Sequence, residues 1–84
     1  MEIVKRIHEM DLNIQDLYIN EYGNIVIEVE EHRFMVLYPM RGDRYKLIST
    51  ISPPEPVNVY NQNDALKKIK DIVDVYRRSD EENQ

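Results

Sequence analysis

At 84 residues, 42% of them hydrophobic, the chain has enough apolar side chains for one small core and too many for a disordered segment, so it reads as a single domain over 1–84. It contains no cysteine, which excludes disulfides, thiolate nucleophiles and cysteine-based zinc or iron–sulfur sites together. The net charge of −5 is uneven: −6 over residues 1–32, +3 over 33–50 and −2 over 51–84. That balance opposes general coating of nucleic acid but leaves a local basic face open in the middle third.

The first element is a short helix. Ile3, Val4, Ile7 and Met10 recur at helical spacing, with Lys5, Arg6 and Glu9 left for solvent. With about three turns and no N-cap residue, it needs to dock on the rest of the chain to be stable. The period then changes to two. Leu17 and Ile19 alternate with Asp16, Tyr18 and Asn20, and Ile25, Ile27 and Val29 alternate with Val26, Glu28 and Glu30. Between them Gly23-Asn24 tolerates positive φ and predicts a hairpin turn. The segment Glu30-Glu31-His32 makes a second tight connection, and Phe34–Tyr38 forms the next strand, which Pro39 is expected to end because it has no N–H for a central ladder. The segment Pro39-Met40-Arg41-Gly42-Asp43 makes the third turn and leads into a last strand over Arg44–Ile51.

The prolines of "SPPEPV" break the sheet pattern and predict an extended crossover. Beyond it, Leu66, Ile69, Ile72, Val73 and Tyr76 form one helical stripe. Asn61 is the expected N-cap, with Asp64 three residues on and Asn63 as the alternative cap. Residues 79–84 are polar and read as a flexible tail. The fold class is therefore α+β: a helix, a three- or four-stranded antiparallel meander, and a C-terminal helix.

Sequence motifs for chemistry are sparse. His8 and His32 stand apart, with no HExxH-type spacing, and neither glycine belongs to a phosphate-cradling loop. No enzyme, cofactor or metal site is predicted. The absence of a signal peptide and of any apolar run near 18 residues points to a cytoplasmic protein with no membrane contact.

Two features point to partners. The run Phe34-Met35-Val36-Leu37-Tyr38 is apolar at every position, so both faces of its strand need cover. Phe34, Val36 and Tyr38 are expected in the core. If both helices sit on one sheet face, Met35 and Leu37, extended by Val26 and Ile48, are expected to form a protein interface, homodimeric or with another protein; helices on opposite faces would make the pattern purely structural. Glu28, Glu30 and Glu31 add an acidic interaction surface, which suits a small acidic adaptor, regulator or inhibitor. The alternative is nucleic-acid contact through Arg33, Arg41, Arg44 and Lys46, or through Lys67 and Lys68 at the start of the last helix. The helix–three strands–helix order resembles the double-stranded RNA-binding domain. That family sets lysines at the start of its second helix on phosphates, and Lys67 and Lys68 match that location. The glycine-rich region between its first two strands has no counterpart here.

Overall fold

The computed structural model describes residues 1–51 and 56–82. Its elements run α1 (Glu2–Glu9), β1 (Asp16–Ile19), β2 (Ile25–Glu30), β3 (Arg33–Met40), β4 (Arg44–Ser49), β5 (Asn58–Asn61) and α2 (Gln62–Glu82). The strands form one antiparallel meander in the order β1-β2-β3-β4-β5. The α+β class stands as expected, with five strands instead of three or four. The strand that the side-chain pattern does not signal is β5, a four-residue edge strand in which only Tyr60 is half-buried. Its two apolar residues, Val59 and Tyr60, are adjacent and flanked by Asn58 and Asn61, so no alternation marks it. Residues 52–55 of the predicted crossover lie outside the described residues. So do 83–84 of the predicted tail, whereas α2 continues through 79–82.

Both helices cover the same sheet face. Ile3 and Ile7 of α1, and Ala65, Leu66, Ile69, Ile72 and Val73 of α2, join one buried cluster with Ile25, Ile27, Val29, Met35, Leu37, Tyr45 and Leu47. Each large aliphatic side chain buried in this way contributes about 1.5–3 kcal/mol, which is how a helix as short as α1 is held. Polar contacts fix the helices as well. The Asn61 side chain accepts from the Asp64 N–H at 2.8 Å, the predicted N-cap of α2. Arg6 donates to Asn63 at 3.0 Å, joining α1 to the first turn of α2. The Arg77 guanidinium donates to the Leu12 carbonyl and, at 2.7 Å, to the Asn13 carbonyl. It thereby ties down the α1–β1 connection, where Asp11 and Asn13 both have positive φ.

Pro39 does not end β3; it pairs with Tyr45 inside the strand. The Phe34 carbonyl accepts from the Thr50 N–H at 2.9 Å, so even-numbered residues of β3 aim their backbone polar groups at β4 and odd-numbered ones at β2. β2 begins at Ile25, opposite Leu37, so among the described residues Pro39 has no strand-pairing partner on that side. Its missing N–H removes no ladder bond.

A bulge in β2 determines which face each side chain occupies. Glu30 pairs with Arg33, but the register then shifts, so that Glu28 pairs with Phe34, Ile27 with Met35 and Val26 with Val36. Continued without a bulge, the Glu30–Arg33 pairing would set Val26 opposite Leu37. The extra residue moves Val26 to the other face, because a one-residue slip exchanges inside for outside.

Candidate functional site

Register places three ranks of side chains on the sheet face away from the helices. Tyr18, Val26, Val36 and Ile48 lie side by side across β1 to β4. To one side of this rank lie Asp16, Glu28 and Phe34, and to the other Tyr38, Lys46 and Val59. No described helix covers them. Val26 is nevertheless only 6% exposed, shielded by its cross-strand neighbours, and stands outside the main core cluster. Phe34, Val36, Tyr38 and Ile48 are half-buried, and Tyr18 and Val59 are exposed. The result is a contiguous aliphatic and aromatic patch on a β-sheet open to solvent.

The predicted interface is thus corrected in part. Met35 and Leu37 are fully buried beneath the helices and are not available to a partner. Val26 and Ile48 do occupy the uncovered face, but in company with Val36, Phe34 and Tyr38, the rank of β3 expected in the core. The sequence pattern did separate the two sides of β3; the bulge decided which side faces the helices.

Charged groups border the patch. Lys46 lies with its Nζ 5.1 Å from the centre of the Tyr38 ring, a cation–π contact that holds it on this face. Arg44 is two residues away on the same face and exposed. On the far side of the patch, Glu28 receives a long contact from Gln15 at 3.5 Å, and Asp16 accepts from the neighbouring Leu17 N–H at 2.8 Å. Among the described residues neither Glu28 nor Lys46 has an ion-pair partner within the chain.

The predicted acidic surface is divided. Glu28 borders the open face. The bulge turns Glu30 toward the helices, where its carboxylate accepts from the Tyr76 hydroxyl at 2.9 Å. That bond raises the Tyr76 pKa above its ordinary value, with desolvation and the Glu30 charge adding to it. Glu31 sits in the turn, 3.5 Å from the His32 imidazole, and both are exposed. Tyr45, packed at the sheet's covered side, also has a raised pKa, chiefly from burial and then from the nearby Asp43 and Glu2 charges.

The basic residues also fail to gather into one patch. Arg33 and Arg41 flank the two ends of β3, roughly 25 Å apart for an eight-residue strand. Arg44 and Lys46 project from the open face, whereas Lys67 and Lys68 belong to α2 in the other layer. Lys68 lies 3.8 Å from Asp71, and Lys70 donates to Asp74 at 2.6 Å, a bond that lowers the Asp74 pKa. With five strands between its helices, the chain departs from the three-strand order that suggested a double-stranded RNA-binding domain.

Among the described residues no three His, Cys, Asp or Glu side chains are grouped to hold a metal ion, and no helix is long and apolar enough to cross a membrane. No protein-family model, curated protein or solved structure matches the chain.

Proposed function

We propose that this chain is a noncatalytic protein-binding module, a small acidic adaptor or regulator, whose binding surface is the uncovered sheet face. The observation that carries this reading is the rank Tyr18-Val26-Val36-Ile48, flanked by Phe34 and Tyr38, on a face that no described helix covers. Two amphipathic helices lie on the opposite face and leave this one to an external chain. Aromatic and branched aliphatic side chains at the centre with charges at the border match the composition of protein interfaces. The lack of cysteine suits a reducing, cytoplasmic setting.

Site-directed photocrosslinking tests the assignment. Benzoylphenylalanine placed at Tyr18, on the open face, is expected to give discrete protein adducts in cells. The same group at Lys67, on the exposed side of α2, is expected to give none at comparable yield. Equal yields at the two positions, or adducts at Lys67 alone, would remove the open face from consideration.

A further inference from the structure

We infer that the occupant of the open face is a second copy of this chain, packed face to face with its acidic corner on its partner's basic corner. The inference rests on the open face being the binding surface and adds the identity and geometry of what binds there.

The strand register sets the geometry of this pairing. Glu28 lies on β2 and Lys46 on β4, the two strands on either side of β3. Glu28 is paired with Phe34, two residues before Val36, and Lys46 with Tyr38, two residues after it. The two charges therefore stand diagonally opposite each other, with Val36 at the midpoint. With strands about 4.8 Å apart and two residues spanning about 6.8 Å, each lies roughly 8 Å from Val36 in the plane of the sheet. A two-fold axis lying in the interface over Val36, perpendicular to that diagonal, exchanges the two positions. It sets Glu28 over the partner's Lys46 and Lys46 over the partner's Glu28. The same operation carries Asp16 to within about 3 Å, in projection, of the position of the partner's Arg44. Two sets of opposite charges thus meet under one symmetry operation, and an isologous interface requires just this kind of self-complementarity. The strands of the two sheets then cross at about 70°, close to the orthogonal class of sheet packing.

The size of the face sets the expected strength. Five strands about 4.8 Å apart and about 20 Å long give a footprint of roughly 480 Å² per copy. Two such faces bury on the order of 1,000 Å², the lower bound for a specific interface. The dimer is therefore concentration-dependent and not obligate. Glu28 and Lys46, with no ion-pair partner inside the chain among the described residues, would acquire one on association.

Charge exchange provides the test, read by sedimentation equilibrium at low ionic strength. Glu28→Lys and Lys46→Glu, each alone, place like charges together twice per dimer, and each is expected to weaken self-association about tenfold. An equimolar mixture of the two variants restores both attractions in the heterodimer. The double variant restores them in its own homodimer, so both samples should regain wild-type association. These are border positions, and circular dichroism on each sample keeps loss of folding separate from loss of association. A wild-type chain that stays monomeric up to about 1 mM overturns self-association, and the crosslinking at Tyr18 then decides the open face independently. A dimer weakened by Val36→Lys, with no recovery in the mixture, overturns the diagonal pairing and leaves the face. A dimer indifferent to both Val36→Lys and Ile48→Lys overturns the face as well.

Discussion

Leu37 and Val36 are neighbours on β3, and truncating each in turn measures which side of the strand is the core. Leu37 is fully buried, paired with Ile25 on β2 and Leu47 on β4 beneath the helices. Leu37→Ala removes three carbons from a site closed on every side, so the lost transfer energy is joined by the energy of an unfilled cavity, about 3 kcal/mol within a range of about 2–5. An 84-residue domain has roughly 4–13 kcal/mol of stability in all, so this one change consumes a large share. At about 4–8 °C per kcal/mol the expected loss in Tm is about 12–24 °C. Val36 is half-buried with no helix above it, and Val36→Ala, measured at low protein concentration, should cost about 1 kcal/mol or less. Urea denaturation followed by circular dichroism reads both differences. Equal costs, or a larger cost at Val36, would show that the bulge does not set the register described and would return Met35 and Leu37 to the surface.

Three further outcomes test local features. His32 holds φ at +63 in the β2–β3 turn, a conformation that costs a side-chain-bearing residue about 1–2 kcal/mol. His32→Gly should therefore leave stability unchanged or raise it by up to about 1 kcal/mol by thermal melt, and a clear loss would mean that the imidazole contributes a contact the turn needs. Asn61→Ala removes the cap on the Asp64 N–H and should cost about 1 kcal/mol, whereas Asn61→Asp should restore most of it. The raised pKa of Tyr76 means that the folded chain holds the phenolic proton more tightly than the unfolded chain does. That stability is present in full below pH 10 and is lost as pH rises through the folded-state pKa. Alkaline melts should show this loss for the wild type and a smaller one for Tyr76→Phe, and identical alkaline profiles would contradict it.

Much of the fold was legible in the pattern of side chains. The helical spacing of Ile3, Ile7, Leu66, Ile69 and Val73 predicted two helices with one apolar stripe each, without deciding whether they share a sheet face, and the alternation through Ile25, Ile27 and Val29 marked a sheet face. The cap at Asn61 was legible because its chemistry is local. What could not be read were features set by pairing. The register shift between Glu28 and Glu30 leaves no glycine or proline in the sequence, yet it moves Val26 from the side of Leu37 to the side of Val36. Pro39 looked like a strand end because its cost depends on whether a neighbour lies opposite, and only the start of β2 at Ile25 shows that none does. The aliphatic run through Met35 and Leu37 held one usable signal. Both faces of β3 were apolar, but in β2 the odd-numbered positions are uniformly aliphatic, whereas the even-numbered ones are mostly acidic. Matching the odd rank of β2 with Met35 and Leu37 would have identified the core at the cost of accepting a bulge.

If the face carrying Tyr18, Val26, Val36 and Ile48 binds a second copy, the surroundings of those side chains change with concentration. An NMR dilution series from about 1 mM to about 10 μM tests it most directly, because it locates as well as detects association. Concentration-dependent shifts are expected at the Val26, Val36 and Ile48 methyl groups and the Tyr18 and Tyr38 rings, with stationary signals at Lys67 and Asp71 on the outer side of α2. Signals that do not move with concentration would contradict it, as would movement confined to the helices.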